Sequence, residues 1–119
     1  MAKARRRTFS NAIIQSLEFQ SLSYPAQVLY INLNFEADDD GLLNNAIAVT
    51  RYCGIQKKAL NELYAKRFLL DLGNDVTCIK HWLIHNTIKN DRYKPSRFEK
   101  ERGMLAVRED RAYTEKNKK

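Results

Sequence analysis

The sequence predicts an α+β domain that is mainly helical. Apolar residues recur at helical spacing in four separate segments between residues 11 and 67. Two short apolar segments then flank Gly73-Asn74, a pair typical of a tight hairpin turn. The chain has 119 residues, of which 44% are hydrophobic, and this is enough for one compact core.

Two helices are predicted at the start, and both follow serines. Ser10 is a suitable N-cap for a first helix over residues 11–20. Ser23 is a suitable N-cap for a second helix that ends near Glu36. Pro25 then falls in the first turn of that helix, where its missing N–H costs nothing.

An acidic turn and two more helices follow. Residues 38–41, three aspartates and a glycine, form a turn by composition, and Leu42-Leu43 predicts a very short strand. A third helix is expected over residues 46–53 and a fourth over about 56–67, with Gly54 between them. Two short helices joined by a glycine-containing turn make a helix-turn-helix pattern.

Helical spacing divides the fourth helix into two faces. Its core face consists of Ala59, Leu60 and Leu63. Its outer face is mostly polar and charged, and consists of Lys57, Lys58, Asn61 and Ala65 with Glu62 beside them. Such a face is typical of a DNA-recognition helix and also of an ordinary solvated helix surface.

Residues 68–70 and 76–84 are predicted as two strands around the Gly73-Asn74 turn. Three helices followed by a hairpin give the element order of a winged helix-turn-helix with a two- to three-stranded wing sheet. We therefore expect a basic N-terminal arm (1–9), a winged-helix domain (10–96) and a basic tail (97–119). The tail is predicted to be helical on either side of Gly103 and frayed beyond about Tyr113.

The charge is unevenly placed along the chain, whose net charge is +7. Residues 1–7 carry four positive charges, residues 8–79 carry five against eight negative, and residues 80–119 carry twelve against six. A mildly acidic body with cationic ends suits a protein that places its arms on phosphate backbones. The alternative is that the ends are simply solvated tails.

Several other classes of site and location are disfavoured. An EF-hand calcium loop fails because Glu36 occupies its first position and Ile47 its last. His81 and His85 lack a third ligand at motif spacing, so we expect no metal site and instead a histidine that hydrogen-bonds near the wing. The two cysteines are interpreted as buried thiols. We expect no enzyme, no cofactor and no membrane segment, and the chain is interpreted as cytoplasmic.

Residues 79–96 are the most informative stretch. They begin as an apolar strand-like segment that carries the only tryptophan and end in a basic, aromatic arm. The arm supplies charge for phosphates through Lys89, Arg92 and Lys94, while Tyr93 has a ring that can stack. Alternatively, Trp82, Tyr93 and Pro95 cover the edge of the core while the charges remain solvated.

Five stretches in order resemble one family, the N-terminal domain of phage replisome organisers, which is related to DnaD-like primosomal proteins. These stretches are RRTFSN from Arg6, LSYPAQVLY from Leu22, ADDDGLLNN from Ala37, AKRF from Ala65 and IKHWLIHNTIKNDRYKPS from Ile79. The resemblance implies a winged-helix domain that binds double-stranded origin DNA and recruits a helicase loader or another primosomal protein. It also implies self-association. Members usually continue into a second domain, so we expect a fragment or a stand-alone version.

The expected DNA contacts come from four regions that we expect to be exposed: the fourth helix, the wing turn, and the two basic arms. They are Lys57, Lys58, Asn61, Asn74, Lys89, Arg92, Tyr93, Lys94, Arg5, Arg6 and Arg7. Two alternatives remain open. In the first alternative the domain is a protein-interaction module that forms homo-oligomers. In the second it is a transcriptional regulator built on the same fold.

Overall fold

A computed structural model describes residues 7–86 and 92–116. Within these ranges the chain forms short helices and two small antiparallel sheets, so the predicted α+β class is confirmed. The helices are α1 (Asn11–Ile14), α2 (Leu17–Gln20), α3 (Tyr24–Glu36), α4 (Ala46–Tyr52), α5 (Lys57–Ala65), α6 (Trp82–His85) and α7 (Glu99–Arg102). The strands are β1 (Leu42–Leu43), β2 (Leu69–Asp71), β3 (Thr77–Ile79), β4 (Leu105–Val107) and β5 (Tyr113–Glu115).

A serine caps α3, as predicted, whereas Ser10 stands at the start of α1 without a cap hydrogen bond from its side chain. Ser23 Oγ accepts the N–H of Ala26 at the start of α3. The predicted first helix is wrong in one respect, because it is divided into α1 and α2. Ser16 separates them: its Oγ accepts the N–H of Phe19 and donates to the carbonyl of Ile13, which ends one helix and begins the next.

Three strands form the first sheet in the order β1-β3-β2. Leu42 lies opposite Cys78, and Leu69 lies opposite Ile79. The turn between β2 and β3 has positive φ at three successive residues, Gly73, Asn74 and Asp75. Glycine and asparagine tolerate this conformation best, which is why the sequence predicted the turn.

The core lies between α3, α4 and α5 on one side and the first sheet on the other. From α3 it takes Leu29, Tyr30 and Leu33, all with no exposed surface. Both cysteines are free thiols, Cys78 buried and Cys53 partly so, as predicted. Burial raises the pKa of the Cys78 thiol.

The predicted strand over residues 76–84 is too long. β3 ends at Ile79, and residues 82–85 form α6. Trp82 is fully buried, and its indole N–H donates to the carbonyl of Asp39 at 2.9 Å. The adjacent Gly41 allows this close approach, because a Cβ on Gly41 would lie 2.5 Å from Cγ of Trp82. The helical turn therefore places the indole under the acidic turn.

The tail is helical before Gly103, where α7 ends, as predicted, but the helix expected after Gly103 and the fraying expected from about Tyr113 are wrong. Beyond α7 the chain forms a β4–β5 hairpin, and Tyr113 is fully buried. The Tyr113 hydroxyl donates to the carbonyl of Asp40, and its N–H donates to the carbonyl of Lys80. The hairpin turn uses Arg111 at φ 73 in place of glycine. Leu105 and Tyr113 thus belong to the same core as the helices.

Candidate nucleic-acid interface

The outer face of α5 has the composition expected from the sequence. Lys57, Lys58 and Asn61 are exposed, while Ala59 and Leu60 are buried. Among the described residues neither lysine forms an ion pair. Both ammonium groups are therefore available to an external anion, at the first turn of the second helix of the helix-turn-helix pattern.

The carboxylate of Glu62, next to this face, is engaged with α3. Its Oε2 accepts the N–H of Ser23 at 2.8 Å, and its Oε1 accepts the Ser23 hydroxyl at 2.7 Å. These hydrogen bonds lower the pKa of Glu62, because they favour the charged carboxylate. Glu62 therefore links the start of α3 to α5 as well as adding a negative charge beside the lysines.

A groove of about 310 Å³ separates α4 from α5. Its lining combines apolar residues with two cations and consists of Ile47, Thr50, Arg51, Ile55, Lys57 and Leu60. Arg51 was not among the basic contacts expected from the sequence. Its position four residues after the exposed Ile47 is the signal that would have placed both on one face of α4.

The wing turn offers less than its sequence indicated. Asn74 is exposed, but its amide donates to Oε2 of Glu101 at 3.0 Å. This bond lowers the pKa of Glu101 and fastens the turn to α7. Asn74 is thus a structural link, and its side chain keeps one amide N–H and its carbonyl oxygen for any further contact.

The arm over residues 92–97 is attached to the acidic turn. The Tyr93 hydroxyl donates to Asp40, and the backbone N–H of Lys94 donates to Asp39 Oδ2 at 3.0 Å. Burial together with the Asp40 contact raises the pKa of Tyr93 to about 12. The side chains of Arg92 and Lys94 remain exposed. Lys89 lies outside the described residues.

We call Asp38, Asp39 and Asp40 the acidic clamp, because their carboxylates bind three segments that are distant in sequence: the arm, α7 through Arg102, and the N-terminal segment through Arg7. Asp38 Oδ1 accepts two N–H groups within the turn, and its Oδ2 accepts the Ser96 hydroxyl. Asp40, only 4% exposed, also accepts the Ser96 N–H and lies 3.4 Å from Nε of Arg102. These oxygens are thus occupied by protein donors. In residues 7–86 and 92–116, no three potential ligands lie together as a metal site.

Arg7 is placed against the protein, whereas the sequence suggested a phosphate contact. Its side chain is 9% exposed, and its guanidinium donates to the carbonyl of Ala37 at 2.9 Å. The guanidinium also lies 4.9 Å from the centre of the Trp82 ring, a cation–π contact. Arg7 therefore stabilises the clamp region. Arg5 and Arg6 lie outside the described residues.

The expected hydrogen-bonding histidine is His85, and among the described residues the partners of its ring lie in the N-terminal segment and in α3. Its Nδ1 accepts the N–H of Ser10 at 2.8 Å, and its Nε2 lies 2.6 Å from the Tyr30 hydroxyl. Because Nδ1 is an acceptor, the neutral ring carries its proton on Nε2. Burial, with a further contribution from His81, lowers the pKa of His85 to about 4. His85 thus secures the N-terminal segment to α3.

No family model, curated protein or solved structure matches this chain. None of the helices in the described part is long and apolar enough to cross a membrane. The function must therefore be inferred from the chain's own residues.

Proposed function

We propose that this chain is a winged helix-turn-helix module that binds double-stranded DNA. The element order α3-β1-α4-α5-β2-β3, with the sheet order β1-β3-β2, supports this interpretation of the α+β fold. In this arrangement α4 and α5 form the helix-turn-helix, and the turn after β2 is the wing. The second helix of such a pair enters the major groove.

One observation carries the proposal: Lys57 and Lys58 are exposed at the start of α5 and form no ion pair with any described residue. Arg51 lies across the α4–α5 groove and adds a third cation to this face. On the arm, the exposed side chains of Arg92 and Lys94 are suited to adjacent phosphates. We propose that α5 reads the groove while the arm contacts the backbone.

The resemblance to phage replisome organisers extends the proposal to replication initiation. In this role the DNA-bound domain helps to recruit a helicase loader or another primosomal protein. A transcriptional regulator on the same fold would use the same DNA-binding face. The bound sequence, an origin or a promoter, distinguishes these two roles.

Salt-dependent binding of a short fluorescein-labelled duplex tests the proposal. Affinity should fall steeply between about 50 and 200 mM salt, because bound phosphates displace counterions. The double variant Lys57→Glu, Lys58→Glu should bind at least about tenfold more weakly and show a shallower salt slope. Lys100→Glu, at an exposed lysine on α7, is the matched control. Salt-independent binding, or equal loss in the control, would contradict the proposal.

Self-association is the second candidate, and the outer face of α3 favours it. Tyr24, Val28 and Phe35 are 81%, 52% and 44% exposed, and helical spacing places them in one row with Ile31. The only charged residue in α3 is Glu36 at its end. An uncharged apolar face allows two copies of a +7 chain to meet without opposing like charges.

Sedimentation velocity with matched variants tests this second candidate. Val28→Glu should shift a dimer to monomer, because it places a charge in the centre of the row. Val107→Glu, at a valine that is 46% exposed on β4, should leave the dimer intact. A chain that is monomeric at all concentrations would exclude α3 as a self-association surface.

A further inference from the structure

Lys80 directly follows β3, at the end of the β2–β3 hairpin opposite to the wing turn. Two backbone hydrogen bonds gather other segments around it. Its N–H donates to the carbonyl of Phe68 at 3.3 Å, and its carbonyl accepts the N–H of Tyr113 at 2.9 Å. The residue before Phe68, Arg67, and the turn of the β4–β5 hairpin are thereby brought to Lys80.

Three cations converge at this point, and we call Arg67, Lys80 and Arg108 the Lys80 cluster. Burial and then the positive charges of Arg108 and Arg67 lower the pKa of Lys80, and the nearby carboxylates of Asp110 and Glu115 offset part of this effect. The two arginines have carboxylate partners: Arg67 lies 2.9 Å from Glu115, and Arg108 lies 3.3 Å from Asp110. Lys80 has no ion-pair partner within the described ranges.

A half-buried ammonium group beside two guanidinium groups is unfavourable unless an anion offsets it. The neighbouring His81 has a shielded Nδ1 that also lacks a hydrogen-bond partner among the described residues. The Arg108–Asp110 pair is about half exposed on both sides, so it contributes little and can be exchanged for a stronger anion. This end of the sheet therefore carries three cationic side chains against two carboxylates, those of Asp110 and Glu115, and the unpaired cation in the described part of the chain is Lys80.

We propose that Arg67, Lys80 and Arg108 form a binding site for a phosphate group. Phosphate suits the cluster because its several oxygens can accept from an ammonium and from planar guanidinium donors at once. The same chemistry is offered by a small phosphorylated ligand and by the backbone of a nucleic-acid strand. The site lies at the far end of the hairpin from the wing, so it does not depend on the proposed DNA-binding face.

Thermal unfolding in sodium pyrophosphate, compared with sodium chloride of equal ionic strength, tests the site. Pyrophosphate should raise the Tm of the wild-type chain and of Lys100→Met, a control at an exposed lysine. Lys80→Met should lose this rise and weaken pyrophosphate binding by about tenfold or more. Without pyrophosphate, Lys80→Met should be at least as stable as wild type, because methionine fills the space without a charge.

Arg108→Gln provides a second variant in the exposed hairpin turn, and it should also weaken pyrophosphate binding while the chain stays folded. An equal Tm rise in wild type, Lys80→Met and Arg108→Gln overturns the site. The source of the phosphate is separated by adding a short duplex to the Lys57→Glu, Lys58→Glu chain. Residual duplex binding that Lys80→Met removes identifies a strand backbone. Lost pyrophosphate binding with no effect on the duplex identifies a small phosphorylated ligand.

Discussion

The hydroxyl of Tyr93 lies 2.8 Å from Oδ1 and 2.7 Å from Oδ2 of Asp40, a carboxylate that is 4% exposed. The ring of Tyr93, by contrast, is partly open to solvent. The hydroxyl thus attaches the arm to the acidic clamp, while the ring stays open to the nucleic-acid contact that we propose. The clamp fixes the arm, and the arm's charged side chains extend outward.

Tyr93→Phe separates these two roles. Removing the hydroxyl takes a donor from a buried carboxylate, so the free energy of unfolding should fall by about 1–2 kcal/mol. Duplex affinity should stay unchanged, since the ring is retained, whereas Tyr93→Ala should lower both quantities. Urea unfolding and fluorescence anisotropy measure them. Tyr24→Phe, at an exposed tyrosine, is the control and should alter neither.

Glu62→Ala should change stability and duplex affinity in opposite directions. Stability should fall by about 1 kcal/mol, because Ser23 loses its carboxylate partner at the start of α3. Affinity should rise a few-fold, because a negative charge next to Lys57 and Lys58 is removed. Glu62→Gln isolates the charge, since its amide oxygen still accepts one bond. Weaker duplex binding by a folded Glu62→Ala chain would show that this carboxylate does not oppose DNA.

The elements that were predicted correctly are those whose signals are local. A capping serine with Pro25 in the first turn defines α3, and helical spacing alone separates Lys57 and Lys58 from Leu60 on α5. The turn between β2 and β3 was found for the same reason, because positive φ at Gly73 and Asn74 selects those residue types.

The missed features depend on contacts between distant residues. A short apolar run such as the one around Trp82 fits a strand or a helix equally well, and its contact with Asp39, 43 positions away, decides the outcome. The β4–β5 hairpin lacks the usual turn pair and places Arg111 at positive φ, so no local signal marked it. The acidic clamp and the Lys80 cluster likewise join segments that are far apart in sequence, and residue spacing within one segment does not predict such contacts.

Stability should fall as the pH is lowered from about 6.5 to about 4. Burial lowers the pKa values of His81 and His85 from 6.5 to about 4 in the folded chain. In this window the histidines of the unfolded chain bind protons that the folded chain excludes. The contribution of the two neutral histidines to the free energy of unfolding is therefore complete above pH 6.5 and is lost on acidification. Both histidines therefore make the folded chain less stable in acid than at neutral pH.

Urea unfolding near pH 7 and about pH 5 measures this effect. Carboxylates also titrate in acid, so the wild-type chain is compared with His85→Gln and His81→Gln. Each substitution should lower the number of protons taken up on unfolding by about one. His85→Gln should in addition loosen residues 7–10, because the backbone N–H of Ser10 donates to Nδ1 of the His85 ring. Identical pH dependence in all three chains would contradict the histidine assignment.

Gly41→Ala should be among the most destabilising single substitutions in the chain. Gly41 has φ +84, and an added Cβ would lie 2.5 Å from Cγ of the buried Trp82 ring. The left-handed conformation costs an alanine about 1–2 kcal/mol, and overpacking adds about 1–3 kcal/mol. Gly73→Ala is a matched control, because Gly73 has φ +83 but an added Cβ would meet nothing within 4 Å. Denaturant unfolding followed by Trp82 fluorescence should therefore give a loss for Gly41→Ala that exceeds the loss for Gly73→Ala by the overpacking cost. Equal losses would mean that the indole can move away from the acidic clamp without penalty.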